Sequence, residues 1–339
     1  MKRIKKLTIR DIAEITRVSH MTVSRVINNK KYVGKETREK VLKAIKKYGY
    51  EPDIVARSLK TRKSATIGLI LGDIVNPFYS EIAEGVISIS EAMNYNVILC
   101  NSRYNIKLGE RYINMLLQKN IDGLLVATIY LTKKSIKKIK ERGVPFVLIT
   151  VKLGIPGENY VISDDYYGGE IAAKYLLEMG HRKIFFLKTV DAYSSSERVR
   201  AFKDILSTNN VYFDDSYFSQ SVSNREEASK EISKFLIKRN GFTAIITGND
   251  FIAIGAMDAI FKSNLNIPED ISIIGYDNSM FSECLRTPLT TVKQQEILFG
   301  KLAAERLIEM IEDPKIKKKP KKIVIKPQLV IRNSVKKIN

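Results

Sequence analysis

The sequence predicts an α/β protein in which a small helical N-terminal domain precedes a core of two doubly wound parallel-sheet subdomains. Residues 8–60 contain short amphipathic helical patterns joined by tight turns. From residue 65 onward, short apolar runs alternate with amphipathic segments, which is typical of parallel sheets with helices on both faces. About eight or nine such strands fit two subdomains better than one.

The first two helices are predicted to form a helix-turn-helix. Thr8 is placed to cap the first helix, and Asp11, three residues later, supplies the other half of a capping box. Arg17 and Val18 leave room only for a tight turn, and Ser19 can cap the second helix. Two helices joined this closely favour a nucleic-acid-binding domain.

The second helix has two different faces. Its apolar face, which we expect to be buried, consists of Val23, Val26 and Ile27. Its opposite face carries His20, Met21, Arg25 and Asn28. Because a packed core does not need these four side chains, we interpret the opposite face as a recognition surface for the major groove of DNA.

Two more helices complete the N-terminal region, and the core follows. The third helix is predicted over residues 35–48 with a stop at Gly49, and Pro52 opens a short hinge helix over residues 53–60. Core strands are predicted at residues 67–71, 97–100, 123–127, 146–150, 160–162, 184–187, 244–247 and 271–276. Core helices are predicted at residues 79–93, 110–118, 133–142, 168–179 and 296–311, with strand-like runs at 323–326 and 328–335.

The net charge of +20 is concentrated at the two ends of the chain. Residues 1–63 carry +13 and residues 315–339 carry +10, which leaves −3 for the rest. A basic N-terminal domain is expected of a protein that binds the phosphate backbone. Lysines that merely solvate a surface explain much of the basic C-terminal segment, but they explain the ordered N-terminal pattern poorly.

No enzyme activity, cofactor or metal site is predicted. The sequence lacks a Gly-x-Ser-x-Gly elbow, a phosphate-binding loop and paired metal-ligand motifs, and its two histidines and two cysteines are widely spaced. The basic N-terminus has no apolar segment typical of a signal peptide, and no apolar run approaches the ~18 residues of a membrane span. We therefore expect a cytoplasmic protein without membrane contact.

Several motifs carry a resemblance to a known family. The runs VSHMTVSRVIN, VGKETREKV and YGYEPDIVARSLK resemble the DNA-binding headpiece of the LacI/GalR (lactose-repressor/galactose-repressor) family of bacterial transcription regulators. The resemblance continues in IGLILGDIVNPFYSEIAEGV, DGLLVA, DDYYGGEIAAKYLLEMGHRKI, TGNDFIAIGAMDAI, IPEDISIIGYDN and TPLTTVKQ. It implies a core like that of periplasmic sugar-binding proteins, with a ligand cleft between two subdomains.

The resemblance also implies domain boundaries. They are a headpiece at residues 1–50, a hinge helix and linker at 51–64, and an effector-binding and dimerisation core at 65–339. Within the core, the subdomains are expected at about 65–163 plus 292–322, and at 164–291 plus 323–339. The chain should cross between them near Ser163, Thr291 and Lys322.

The family positions assign candidate roles to individual residues. Bases would be read by His20, Met21 and Arg25, and phosphates bound by Thr8, Ser19, Thr22, Asn28 and Thr37. In the hinge, Ala56 and Leu59 would contact DNA, with Leu59 as a wedge in the minor groove. Gly34 departs from the family, which usually has a capping serine there.

The effector would be bound by seven core residues: Asn76, Phe78, Tyr79, Arg198, Asn249, Asp250 and Asp277. Loop capping is an equally open interpretation of the two aspartates. Thr150 and Val222 stand where relatives often have an acidic or polar group and a stacking aromatic, respectively. Whether this protein has the aromatic surface on which relatives usually stack a sugar is therefore left open.

The function implied is that of an allosteric repressor of carbohydrate-use genes. It would bind a pseudo-palindromic operator in double-stranded DNA as a homodimer and respond to a sugar or sugar derivative. Two alternatives come from other classes: a cytoplasmic small-molecule-binding protein of the periplasmic-binding-protein class, and a sugar-modifying enzyme.

Overall fold

The computed structural model describes residues 7–27, 32–50, 63–128, 131–189, 193–237, 241–313, 315–316 and 319–338. These residues divide between Ala65 and Thr66 into two compact units. The predicted hinge helix, which contains Ala56 and Leu59, lies outside the described residues, and so does Asn28.

The N-terminal unit contains three helices: α1 (Ile9–Thr16), α2 (His20–Ile27) and α3 (Lys35–Tyr48). The predicted capping box is confirmed, because the Thr8 amide donates to the Asp11 carboxylate over 2.6 Å and the Thr8 hydroxyl accepts from the Asp11 amide. The Ser19 hydroxyl accepts from the Thr22 amide over 3.0 Å and so caps α2. Both caps satisfy backbone donors that the first turn of a helix leaves unpaired.

A small apolar core holds the three helices together. Ile12 of α1, Val23 and Val26 of α2 and Val41 of α3 are all buried, and Tyr50 packs with them. The apolar face predicted for α2 is therefore the face that packs on its neighbours. Its other face is left to solvent.

The C-terminal unit alternates strands and helices. The strands are β1 (Thr66–Leu71), β2 (Asn96–Asn101), β3 (Gly123–Ala127), β4 (Phe146–Ile149), β5 (Tyr160–Ser163), β6 (Ile184–Leu187), β7 (Ala244–Thr247), β8 (Ser272–Asp277), β9 (Thr290–Lys293), β10 (Lys322–Ile325) and β11 (Gln328–Val330). The helices are α4 (Pro77–Ala92), α5 (Ile106–Gln118), α6 (Lys133–Glu141), α7 (Asp165–Glu178), α8 (Tyr193–Thr208), α9 (Arg225–Ile237), α10 (Asp250–Lys262) and α11 (Glu296–Glu312).

Two sheets organise this unit. The first has the strand order β10-β5-β4-β3-β1-β2 and is parallel throughout, and the second has the order β11-β9-β8-β7-β6. The second sheet is parallel except for β11, which runs antiparallel to β9. The predicted fold class is confirmed, with this edge strand as its one departure. We call the first sheet with α4, α5, α6 and α11 the first half, and the second sheet with α7, α8, α9 and α10 the second half.

The residues of each central strand pack into two cores, one on each face of the sheet. In β1, Leu69 and Leu71 pack in a cluster with Phe299 of α11, whereas Ile70 packs with Leu116 of α5. Successive side chains of a strand point to opposite faces. A strand covered on both sides must therefore be apolar at nearly every position, which explains why the central strands appear in the sequence as continuous apolar runs.

The chain passes between the halves three times: after Ser163, after Lys293 and after Ile325. The family resemblance implied passages near Ser163, Thr291 and Lys322. In the structure, the second and third passages lie later than expected. The reason is strand pairing, because β9 pairs with β8 as far as Lys293 and β10 pairs with β5 from Lys322 to Ile325.

His181 is a buried structural residue between α7 and β6. Its Nε2 lies 3.1 Å from the Lys336 carbonyl oxygen and its Nδ1 lies 2.9 Å from the Thr243 hydroxyl. Because a carbonyl only accepts, Nε2 carries the hydrogen and Nδ1 accepts from Thr243. Burial lowers the pKa of His181 from its ordinary value and keeps the ring neutral. Through its hydrogen bond to the Lys336 carbonyl, the ring ties the C-terminal segment to the second half.

Candidate DNA-binding face and ligand cavity

The face of α2 that was predicted to recognise DNA is open to solvent. His20 and Arg25 are exposed, and Met21 is 55% exposed although its side chain is apolar. Base edges in the major groove present hydrogen-bond acceptors beside thymine methyl groups. A surface that sets an apolar side chain between two potential donors matches that pattern.

Short hydroxyl side chains lie at the N-termini of the three helices. Thr8 and Ser19 cap α1 and α2, and the Thr22 hydroxyl lies 2.9 Å from that of Ser19. Thr37 is half-buried in the first turn of α3, and its N-cap Gly34 makes no side-chain hydrogen bond. Helix N-termini of this kind bind phosphate groups. Because Gly34 lacks a hydroxyl, α3 offers one hydroxyl donor fewer than a serine-capped helix.

A cavity opens between the two halves of the C-terminal unit. Its volume is about 100 Å³. A single water molecule needs only ~10–15 Å³ on this measure, so the cavity has room for a small organic molecule. Six of the seven predicted effector-binding residues line it: Asn76, Phe78, Tyr79, Arg198, Asn249 and Asp277.

The ends of the strands bring these residues together. Asn76 follows β1 and caps α4 by accepting from the Phe78 amide over 3.1 Å, and Asn249 follows β7 and caps α10 by accepting from the Ile252 amide over 2.8 Å. Asp277 is the last residue of β8. Parallel sheets bind ligands beyond the carboxyl ends of their strands, where the loops that follow the strands converge.

Arg198 of α8 supplies a positive charge in the cavity wall and is only 8% exposed. Its Nε and Nη2 both donate to one oxygen of Asp165, over 2.8 and 2.7 Å, and its Nη1 donates to the Gly248 carbonyl over 2.7 Å. The guanidinium carbon lies 3.5 Å from the centre of the Tyr276 ring. These contacts fix the plane of the guanidinium and neutralise much of its charge.

Asp277 combines burial with an unusual backbone conformation. Its φ is 112°, which L side chains rarely adopt, and it is 6% exposed. One carboxylate oxygen accepts from the side-chain amide of Gln294 over 2.7 Å. Burial, reinforced by the nearby charge of Glu296, holds the pKa of Asp277 well above its ordinary value. Backbone strain and shifted pKa values collect at functional sites, so Asp277 is a strong candidate for ligand binding.

Asp250 does not line the cavity, so our prediction of a direct ligand contact is corrected. It is 1% exposed, and its oxygens accept from the hydroxyls of Ser282 and Thr291, over 2.5 and 2.6 Å, and from the Ser279 amide over 2.8 Å. Burial raises the pKa of Asp250 to about 6. These three donors occupy both carboxylate oxygens. The residue anchors the loop after β8 to the start of α10.

Sequence reasoning missed several residues of the cavity wall. Many of them lie within two residues of the carboxyl end of a strand: Thr128, Val151, Asp165, Thr189, Gly248 and Gln294. The rule that ligands bind beyond the carboxyl ends of parallel strands, applied to every strand, would have found these residues. Thr150 and Val222, which depart from the family pattern, also line the cavity, as do Tyr104, Ser194 and Ser223.

The sequence matches two family descriptions. Residues 8–53 match "Bacterial regulatory proteins, lacI family", and residues 173–335 match "Periplasmic binding protein-like domain". The chain is 36% identical over 335 residues to the HTH-type transcriptional repressor PurR of Vibrio vulnificus, covering 98% of this chain and 99% of that protein. It is 33% identical over 340 residues to the HTH-type transcriptional regulator DegA of Bacillus subtilis, with the same coverage.

Solved structures show the same architecture. A lac repressor dimer bound to operator and the anti-inducer ONPF superposes with a TM-score of 0.85 at 26% identity, covering 98% of this chain and all of that one. A LacI-family regulator from Enterococcus faecium with bound ribose superposes with a TM-score of 0.74 at 27% identity, covering 81% of this chain and all of that one. A CelR–cellobiose complex gives 0.74 at 27% identity, covering 97% of this chain and all of that one.

Among the described residues, no helix is long and apolar enough to span a membrane, and no group of His, Cys, Asp or Glu side chains could hold a metal ion. The matching proteins are transcriptional repressors and regulators, not enzymes. The exposed face of α2, the cavity between the two sheets and the match along 98% of the chain all agree with one family. The chain therefore belongs to the LacI family and is a DNA-binding repressor with a small-ligand-binding core.

Proposed function

We propose that this protein represses carbohydrate-utilisation genes and that a small sugar-like ligand in the cavity controls its affinity for a pseudo-palindromic operator. The observation that carries the proposal is the presence, in one chain, of an exposed recognition face on α2 and a polar cavity in the core. A palindromic site is read by two copies of a recognition helix related by two-fold symmetry. The working form in this proposal is a homodimer.

Within the recognition face, Arg25 is the candidate whose side chain can bind one base most specifically. Its guanidinium can donate two parallel hydrogen bonds to O6 and N7 of guanine, which discriminates that base from the others. His20 and Met21 on the same face would read neighbouring bases. Thr8, Ser19, Thr22 and Thr37 would bind phosphates, which position the protein without reading sequence.

Replacing Arg25 by alanine should weaken binding to the specific site by about 1–3 kcal/mol, or roughly fivefold to 150-fold, and change binding to random DNA little. The specific duplex is first selected from a random pool with the unmodified protein. Fluorescence anisotropy on the selected and the scrambled duplex then measures both affinities.

Lys43→Ala is the matched control, because it removes one exposed positive charge from α3 instead of α2. Any loss in this variant should be similar on the two duplexes. If Arg25→Ala also weakens both duplexes by one common factor, Arg25 is a phosphate contact and the assignment of base reading is wrong.

The charges of the cavity favour a neutral ligand. Arg198 is the single cationic side chain among the described residues of the wall, and Asp165 and Gly248 already accept from its guanidinium. A phosphorylated or carboxylated ligand would therefore meet little uncompensated positive charge. Hydroxyl groups of a sugar can instead donate to Asp277 and bond with the amides and hydroxyls of the wall.

The aromatic residues of the wall favour a sugar over a flat base. Phe78, Tyr79 and Tyr104 all belong to the first half, and Val222 stands on the opposite side. A planar base is bound most strongly when aromatic rings stack on both of its faces. A sugar needs only one aromatic ring, which packs against its C–H face. Two structural relatives hold sugars, ribose in one and cellobiose in the other.

A thermal-shift panel of neutral sugars, nucleosides, purine bases and phosphosugars tests the ligand class. Because a ligand that binds the folded state stabilises it by mass action, a true effector at 100 times its Kd should add about 2.7 kcal/mol and raise the melting temperature. We expect neutral sugars to give the largest shift. A larger shift with a purine base would contradict the sugar assignment and leave the repressor assignment intact.

A further inference from the structure

One contact joins the two halves at the edge of the cavity. Lys152, in the loop between β4 and β5 of the first half, places its Nζ 4.7 Å from the centre of the Tyr193 ring. Tyr193 is the first residue of α8 in the second half. The neighbours of these two residues, Val151 and Ser194, both line the cavity. The Lys152–Tyr193 contact therefore crosses the cleft, and each of its residues is next in sequence to a residue of the cavity wall.

The Tyr193 ring makes a second contact with the opposite half. It packs against the apolar cluster on one face of the first sheet, where Leu153 and Ile155 of the same β4–β5 loop also pack. A side chain that starts α8 thus completes the apolar surface of the first half. Separation of the halves would return this ring to water, at a cost that grows with the apolar area exposed.

A buried carboxylate fixes the backbone of the loop that carries Lys152. The carboxylate of Glu158, which is 3% exposed, accepts from the Leu153 amide over 3.1 Å. Electrostatic attraction to Tyr193 and a hydrogen bond with its side chain raise the pKa of Lys152 above its ordinary value, so the ammonium stays charged. A fixed cation over an aromatic ring is an attraction that acts only while the two halves are in contact.

We propose that Lys152 and Tyr193 form a latch that holds the two halves of the core closed at the edge of the cavity and so controls entry and release of the ligand. The two residues act on the ligand through the position of the halves and need not touch it. The proposal rests on the cavity as the ligand site.

Thiol accessibility inside the cavity tests the latch in the full chain without any ligand or DNA. Thr128, which is 2% exposed in the cavity wall, is changed to cysteine in a Cys284→Ser background, because Cys284 is exposed and the remaining Cys100 is buried. The rate of modification by fluorescein-5-maleimide then reports how often the cleft opens. Lys152→Met and Tyr193→Ala should each raise this rate roughly twofold to thirtyfold, in line with the strength of cation–π contacts. Tyr193→Phe, which keeps the ring, should raise it less than Tyr193→Ala.

Tyr166→Ala is the matched control, because Tyr166 also stacks with a cation, Arg200 at 4.2 Å, but both residues belong to the second half. Its modification rate should equal that of the parent. The latch is contradicted if the Lys152 and Tyr193 variants react no faster than this control, with circular dichroism showing that all are folded. It is also contradicted if the parent already reacts as fast as an exposed cysteine. Operator binding does not enter the readout, so failure of the latch leaves the repressor assignment untouched.

Discussion

Replacing Asp165 by alanine is expected to lower the free energy of unfolding of the core by about 3–5 kcal/mol, because it leaves the buried guanidinium of Arg198 without its counter-ion. The side chains of Asp165 and Arg198 are 4% and 10% exposed, so water cannot replace the lost carboxylate. The other direct contacts of the guanidinium, the Gly248 carbonyl and the Tyr276 ring, carry no full charge. Asp277 attracts Arg198 without a hydrogen bond to it. Urea denaturation measures the loss as a lower midpoint at an unchanged slope.

The matched control for this variant is Glu170→Ala, on the same helix α7. Glu170 pairs with Lys174, but the lysine side chain is 51% exposed, so solvent screens the interaction and the loss should be small. Asp165→Asn keeps an oxygen acceptor and should lie between the two. Equal midpoints for Asp165→Ala and Glu170→Ala would show that the buried ion pair is not needed for stability.

Replacing Asp277 by alanine is expected to abolish the response of DNA binding to the sugar and to leave ligand-free operator affinity near normal. The carboxylate lies in the cavity wall with one oxygen bonded to Gln294, which leaves acceptor capacity for ligand hydroxyls. Its removal leaves buried hydroxyls of the ligand unpaired, at about 1–3 kcal/mol for a neutral group and more for a charged one. Calorimetry with the sugar that gives the largest thermal shift measures this loss directly.

Asp204→Ala provides the comparison, because Asp204 is an exposed carboxylate on α8 outside the cavity wall. Ligand affinity in this variant should equal that of the parent. Unchanged ligand affinity in Asp277→Ala would remove Asp277 from the binding site. Loss of operator affinity without ligand would point instead to a misfolded core.

Local patterns in the sequence were enough to predict most elements of the fold. The eight strands that we predicted from apolar runs are all present, since each has few polar positions. Strand β9 was not among them because Thr290 and Thr291 interrupt its apolar pattern. Both threonines are fully buried, and their hydroxyls are satisfied by the Arg332 amide and by Asp250. These partners are distant in sequence and could not be foreseen.

Prediction of the candidate site had the same limit, which is contacts between residues that are distant in sequence. The family resemblance located Asn76, Asn249 and Asp277, which all lie near the carboxyl ends of parallel strands, where such sheets bind ligands. It could not separate Asp277 from Asp250, because both are aspartates near strand ends. The difference lies in Ser282 and Thr291, which occupy the carboxylate of Asp250 and leave that of Asp277 in the cavity wall.

Strand β10 stands at one end of the first sheet and, in the described part of the chain, pairs only with β5. Its apolar centre is open to solvent, with Val324 52% exposed, and an unpaired edge of this kind invites the strand of another molecule to add to it. Exposed lysines flank that centre on both sides, at Lys321, Lys322 and Lys326. Their mutual repulsion opposes such stacking, because two molecules could pair edge to edge only by bringing these charges together. The positive charge of this segment thus opposes aggregation of the protein through its exposed sheet edge.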